Sequence, residues 1–168
     1  MFSKLFSRQS PRAQVPAAIP YDPELITVLV AKQETLLDLL HSVRHAAKQR
    51  RYDDIPTLLT SLKAGLDAYA TLKEERCLTY LEQNLKDDTG RTVMREMRGS
   101  ATLTQRGLYA FLGHYQHLPI NDANLKRFGR ELDEVTQEFR QRLERETTTL
   151  HPLYRPAGTE QLSPDFEI

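Results

Sequence analysis

The chain has 168 residues, and its 23 lysines and arginines balance its 23 aspartates and glutamates, so its formal net charge is zero. This length suits a single domain whose core is large enough to fold alone. The balanced charge argues against nucleic-acid binding by bulk electrostatics, which needs a basic face. One cysteine, Cys77, excludes an internal disulfide and indicates a reducing compartment.

The N-terminus carries basic residues but no continuous apolar segment, so it does not fit a secretory signal. No apolar run approaches the roughly 20 residues of a membrane span. We therefore expect a cytoplasmic protein with no integral membrane segment. Residues 1–20 contain three prolines among small and basic residues and predict a mobile basic tail. A short amphipathic turn over residues 2–8 is the alternative.

Apolar residues at steps of three and four predict four helices. The first begins at Asp22-Pro23-Glu24. The second is capped by Asp53 or Asp54 and is closed by the turn Lys86-Asp87-Asp88-Thr89-Gly90. The fourth is capped by Asn121 or Asp122 and stops at Pro152. The predicted inward stripe of the first helix is Leu25 or Ile26, Leu29, Gln33, Leu36, Leu40, Val43 and Ala47. That of the second helix is Ile55, Leu59, Leu62, Leu66, Tyr69, Lys73, Arg76 or Cys77, Tyr80 and Leu81. That of the third helix is Met94, Met97 or Arg98, Ala101, Gln105, Leu108, Phe111 or Leu112 and Tyr115, and that of the fourth is Leu125, Phe128, Leu132, Val135, Phe139, Arg142, Glu146, Thr149 and Leu153.

Four long helices joined by short turns predict an all-α, antiparallel up-down-up-down four-helix bundle over residues 21–154. At ~1.5 Å per residue the bundle would be roughly 40 Å long. No stretch predicts a strand, and no glycine-rich phosphate loop is present. Residues 155–168 predict a disordered acidic tail.

Polar residues interrupt each predicted stripe at depth rather than at the helix ends. Counting from the turns places Gln33 level with the segment from Tyr69 to Lys73, and Arg98 near Arg142 and Glu146. Buried charge costs several kcal/mol unless it is paired. We therefore expect each helix to contribute at least one polar group to a paired interior layer.

Three segments carry a family resemblance: YDPELITVLVAKQETLLDLL (21–40), AYATLKEERCLTYLEQ (68–83) and RLERETTTLHPLY (142–154). Together they resemble the hemerythrin-like, or HHE cation-binding, domain. The resemblance covers roughly residues 21 to 155 and implies a four-helix bundle that holds iron through inward histidines and glutamates. In that family the second helix carries His-x-x-x-Glu, and the fourth carries His-x-x-x-Glu-Glu before a Leu-Tyr-Pro run.

This chain departs from the family at its ligand positions. None of them holds an imidazole, and a guanidinium cannot bind a cation because it has no free lone pair. The resemblance therefore implies a degenerate di-iron site, with no metal or cofactor expected and iron retained through non-standard ligands as the alternative. The corresponding positions are Gln33, Tyr69 and Lys73 (or Ala70 and Glu74 in a register shifted by one), Arg98, Arg142 and Glu146.

Two further sets of residues have possible chemistry. His41 and His45 share one helix face, and with His114 and His117 they would form a zinc or iron site at one end of the bundle. We favour the interpretation that these are exposed histidines stabilised at helix C-termini. Cys77 beside Arg76 suggests a redox sensor, but we favour a core cysteine. We expect His151 to pack rather than bind a ligand.

These patterns predict a non-enzymatic regulatory or protein-interaction module, with the two tails as contact arms and another protein as partner. A second resemblance, of LVAKQETLLDLL and FRQRLERET to anti-sigma regulators of the Rsd/AlgQ type, would imply a bacterial transcription regulator. The competing hypothesis is a hemerythrin-like sensor or storage protein that binds iron or zinc.

Overall fold

The computed structural model describes residues 17–159. It contains helices α1 (Leu25–Lys48), α2 (Ile55–Leu72), α3 (Thr79–Asn84), α4 (Asp88–Gln116) and α5 (Leu125–Arg145). Two π-helical segments, Lys73–Leu78 and Glu146–Leu150, and two short 3-10 turns, Tyr52–Asp54 and His151–Leu153, complete the helical structure. The first π-helical segment joins α2 to α3 without a break, so we call residues 55–84 the second rod.

The structure is an all-α fold built from four long helical units. Helix α1 packs against α2 and α5, and α4 packs against the same two helices, so the four units surround one shared core. No strand occurs in residues 17–159. Within the same range, none of the helices is long and apolar enough to cross a membrane.

The core consists largely of the predicted stripes, because residues at steps of three and four fall on one helix face. Leu29, Leu62 and Phe128 are completely buried. The ring of Phe128 stacks on Phe111 at a centroid distance of 5.7 Å. The all-helical prediction is therefore confirmed.

Three helix starts differ from the sequence-based prediction. Helix α1 begins at Leu25, after a turn in which Asp22 Oδ1 accepts from Glu24 N at 3.1 Å. Helix α5 begins at Leu125, three residues beyond Asp122, because the Asn121 side chain first forms a turn in which its Oδ1 accepts from Ala123 N at 3.0 Å.

Helix α4 begins at Asp88, and Asp87 caps it by accepting from Gly90 N at 2.6 Å. Gly90 thus belongs to the first turn of α4 rather than to the preceding loop.

The second π-helical segment, Glu146–Leu150, changes which side chains face the core. A π-helical turn holds one more residue than an α-helical turn, so the buried face moves by one position. The predicted inward residue Thr149 is exposed, and Leu150 is 2% exposed in its place. The predicted stripe is therefore wrong at Thr149, whereas Leu153 packs partly buried against the core.

Residues 17–22 and the chain after α5 meet at one end of the fold. Gln83 accepts from Ile19 N at 2.9 Å, and Tyr80 donates to the carbonyl of Arg155 at 2.7 Å. Residues 17–20 are therefore held against α3, although the sequence placed them in a mobile tail. The tail predictions for residues 1–16 and 160–168 lie outside the described residues.

The shifted face leads to a prediction about two neighbouring positions. Leu150→Ala should destabilise the fold by roughly 2–5 kcal/mol because it removes a buried side chain. Thr149→Ala should change the free energy of unfolding by less than about 0.5 kcal/mol, as expected at an exposed site. Urea unfolding of both variants measures the difference. A larger loss for Thr149→Ala would mean that the regular α-helical face continues through this segment.

Candidate functional site

A single carboxylate, that of Glu146, lies at the centre of the fold and is completely buried. Its Oε1 accepts three hydrogen bonds, from Lys73 Nζ at 2.7 Å and from Nε and Nη2 of Arg142 at 2.8 and 2.6 Å. Its Oε2 accepts from the Tyr69 hydroxyl and from Gln33 Nε2, the latter at 3.3 Å. We call these five residues the buried network.

Three helical units contribute to the buried network. Gln33 comes from the middle of α1, Tyr69 and Lys73 come from the second rod, and Arg142 and Glu146 come from α5 and the segment after it. Gln33 also donates to the Tyr69 hydroxyl at 2.9 Å, which links α1 to the second rod. The predicted level of Gln33 with Tyr69 and Lys73 is therefore observed. Arg142 and Glu146, which the prediction placed near Arg98, lie with them instead.

Both π-helical segments begin at a residue of the buried network. Lys73 is the first residue of one segment, and Glu146 is the first residue of the other. Widened turns of this kind occur mostly as single turns inside α-helices, frequently at functional sites. Here the irregular turns coincide with the place where charged side chains enter the core.

With Lys73, Arg142 and Glu146 ionised and Tyr69 neutral, the buried network contains one more positive charge than negative charge. Burial lowers the pKa of the Lys73 ammonium, and the Arg142 guanidinium lowers it further, while Glu146 opposes both. Burial alone would raise the pKa of the Glu146 carboxyl, but Lys73 and Arg142 together hold it below its ordinary value. The charged form of Lys73 therefore depends on the Glu146 carboxylate beside it.

Burial shifts the pKa of Tyr69 and of two nearby groups, His151 and Cys77, in the direction of the neutral form. Burial and the Glu146 carboxylate raise the pKa of Tyr69, so its hydroxyl keeps its proton. Burial lowers the pKa of His151. Burial also raises the pKa of the Cys77 thiol to about 12. Cys77 is therefore a core residue as expected, since reactive cysteines are those with a lowered pKa.

The structure places two predicted site residues outside the buried network. Arg98 is one-third exposed, and its Nη2 pairs with Glu74 Oε1 at 2.8 Å and Glu82 Oε2 at 3.6 Å. Glu74 is exposed, so the register shifted by one is wrong. The buried residues of α4 are apolar side chains, one tyrosine and a glycine. The expectation that every helix supplies a polar group to the layer is therefore wrong for α4.

The predicted histidine cluster does not assemble into a metal site. His41 Nε2 lies 3.2 Å from Arg140 Nη2, and His114 packs edge-on against Tyr115. Within residues 17–159, no group of three or more His, Cys, Asp or Glu side chains is placed to hold a metal ion, and this includes the set with His45 and His117.

His151 is a buried polar residue, which we expected only to pack in the core. It is 7% exposed, and neither ring nitrogen has a hydrogen-bond partner among the described residues. Arg142 Nη1 is likewise buried without a partner within 17–159. His151 lies five residues after Glu146 in the sequence. One π-helical turn brings residues at this spacing to the same helix face, and this spacing is the signal that could have identified His151.

Comparison of the chain with models of protein families, with curated proteins and with solved structures gives no significant match. The resemblance to hemerythrin-like domains and that to anti-sigma regulators therefore stay predictions.

Removing the charge of Glu146 should be strongly destabilising. Glu146→Gln keeps the shape of the side chain but leaves two buried cations without a counter-charge, so we expect a loss of roughly 3–5 kcal/mol. The matched control is Glu134→Gln, whose partner Arg130 is also four residues away but exposed. That variant should lose less than about 1 kcal/mol. Equal losses in urea unfolding would show that burial of the network contributes nothing to stability.

The Glu146 carboxyl should also make the free energy of unfolding depend on pH in the acidic range. Because the folded-state pKa of Glu146 is lowered, its contribution to stability is fully present above the ordinary carboxyl pKa of 4.5 and is lost as the pH falls through the folded-state pKa. The difference in unfolding free energy between the unaltered chain and Glu146→Gln should therefore shrink below about pH 4.5. Urea unfolding from about pH 7 to about pH 3 measures it, and a constant difference would contradict this assignment.

Proposed function

We propose that this chain is a non-enzymatic regulatory or protein-interaction module, built on an antiparallel, hemerythrin-like bundle whose di-iron site is degenerate. The observation that carries the proposal is the saturation of the Glu146 carboxylate. It accepts five hydrogen bonds, three of them from Lys73 and Arg142. The cations thus hold the place that a metal charge would take in the family that the chain resembles.

The donor set supports this proposal. Ammonium and guanidinium groups offer no lone pair to a metal, and Gln33 directs its amide nitrogen at Glu146 and Tyr69. A metal at Glu146 would have to displace Lys73 and Arg142, which would place like charges side by side in the core. Such an arrangement is unfavourable at low dielectric.

The connections between helices support the antiparallel topology. Only residues 49–54 separate α1 from α2, and residues 85–87 separate α3 from α4. Short connections of this kind usually join antiparallel neighbours. Each helix also contacts the two neighbours that an up-down-up-down order requires.

The proposal locates function on the surface and the two tails rather than in the core. The Glu146 carboxylate is occupied by its five donors. The tails carry opposite charge: Lys4, Arg8 and Arg12 lie in residues 1–16, whereas Glu160, Asp165 and Glu167 lie in 160–168. Charged segments of this kind are suited to steering a protein partner. The partner of this proposal is another protein.

The test combines affinity capture with metal analysis. A protein partner captured by the full chain should bind less to variants lacking residues 1–16 or 160–168 and should bind normally to the surface variant Glu134→Gln. Circular dichroism of each variant checks that it remains folded. Stoichiometric iron in the purified full chain, with oxo-bridge absorption, would overturn the proposal in favour of the metal-binding alternative. Capture unaffected by both deletions would overturn the role of the tails.

A further inference from the structure

A groove of about 490 Å³ lies on the surface between the last part of α1 and the first part of α5. Its floor is apolar and contains Ala47 and Gly129, which are buried, and Leu125, which is partly buried. A Cβ atom at Gly129 would lie 2.5 Å from Arg44 Nη1, so the glycine leaves room for the Arg44 guanidinium against α5. The volume falls within the range of binding sites in proteins.

The lining of this groove carries a surplus of two positive charges. It contains four cations and two carboxylates: Arg44, Lys48, Lys126 and Arg130 with Asp133 and Glu134. Each carboxylate is paired within the lining, Asp133 with Arg44 at 2.7 Å and Glu134 with Arg130 at 3.9 Å. Lys48 and Lys126 are exposed and have no salt-bridge partner in residues 17–159. The surplus therefore belongs to these two lysines, one on each wall of the groove.

Charges elsewhere near this end of α1 do not cancel the surplus. The adjoining ion pairs are balanced: Arg50 with Asp122, and Arg127 with Glu131. The remaining acidic residues of this region line a separate groove between α1 and α2: Asp38, Asp53 and Asp54. An anionic partner would thus meet two exposed ammonium groups above an apolar floor.

Residues 160–168 complement the groove in both respects. They contain three acidic residues and no cation. From Asp165 to Ile168, acidic residues alternate with apolar ones, Phe166 and Ile168. The apolar side chains gain stability by leaving water for the floor, and the acidic ones match the charge of the two lysines.

The groove lies too far away for these residues to fill it within one chain. Helix α1 begins next to residues 17–22 and rises about 28 Å from Leu25 to Arg44. Residues 155–159 lie beside that starting end, because Tyr80 donates to the carbonyl of Arg155 and a turn connects Thr159 N to the carbonyl of Pro156. Phe166 lies seven residues beyond Thr159, and seven extended residues span at most about 25 Å. A second copy of the chain is therefore the better source of the segment.

We propose that residues 160–168 of one copy of this chain bind the groove between α1 and α5 of a second copy. Phe166 and Ile168 pack on the floor, and Asp165 and Glu167 pair with Lys48 and Lys126. The contact joins different surfaces of the two copies, so each dimer still offers a segment and a groove to further copies. Self-association of this kind does not require the proposed protein partner.

The first test is sedimentation velocity of the purified full chain as a function of concentration. The weight-average mass should rise with concentration at about 50 mM salt, and it should rise less at about 500 mM salt, because salt screens exposed charges. A chain that remains monomeric up to about 1 mM would overturn the proposal. Self-association that does not respond to salt would also overturn it.

The second test divides the two surfaces between two full-length variants. The groove variant, Lys48→Glu with Lys126→Glu, keeps its own acidic segment. The segment variant, Asp165→Asn with Glu167→Gln, keeps its own groove. Each variant alone should self-associate at least roughly tenfold more weakly than the unaltered chain. An equimolar mixture should form a 1:1 complex, because one variant supplies the segment and the other supplies the groove.

The matched control is Arg95→Glu with Arg106→Glu, two exposed positions on α4. It changes the net charge as much as the groove variant does, and it should self-associate like the unaltered chain. Circular dichroism checks that all three variants are folded, as expected for exposed substitutions. Equal weakening in the control and the groove variant, or a mixture that forms no complex, would overturn the proposal.

Discussion

The Glu146 carboxylate is the constraint on which the interior of this fold depends. Two cations and two neutral donors converge on it from three helical units, so the positions of those units along one another are fixed by polar contacts as well as by packing. Buried ion pairs add little net stability to a fold, because well-packed apolar residues in the same place often give equal stability. Their effect here is different: removal of one partner leaves the others charged in a low-dielectric core. The network therefore penalises any helix register that separates its members.

Much of this interior follows from the sequence, because the polar interruptions lie on the same helical faces as the leucines around them. Gln33, Tyr69 and Lys73 fall at steps of three and four from buried apolar neighbours, and simple counting from the turns places them at one level. The charges of Arg142 and Glu146 then require partners at that level. Regular periodicity and the cost of burying charge are enough to predict this part of the site.

The remainder depends on features that regular periodicity does not encode. A π-helical turn inserts one residue without any change in composition, which explains why Leu150 rather than Thr149 faces the core. Arg98 lies on a face of α4 where a long side chain reaches solvent, and its acidic partners come from another helix.

The convergence of residues 17–22 and the chain after α5 has a consequence for binding strength. Residues 17–22 and 155–159 lie at the end of the fold that carries α3, where Gln83 and Tyr80 bond to Ile19 and Arg155. The two tails proposed as contact arms are joined to the chain at this end. A partner covering that end would engage the two arms as a bivalent ligand, with the second contact formed at the high effective concentration of a short tether. Avidity of this kind exceeds the affinity of either arm by about 10²–10⁴. Two tails that each bind weakly could thus produce a long-lived complex with the partner. That complex would dissociate readily once either tail is prevented from binding.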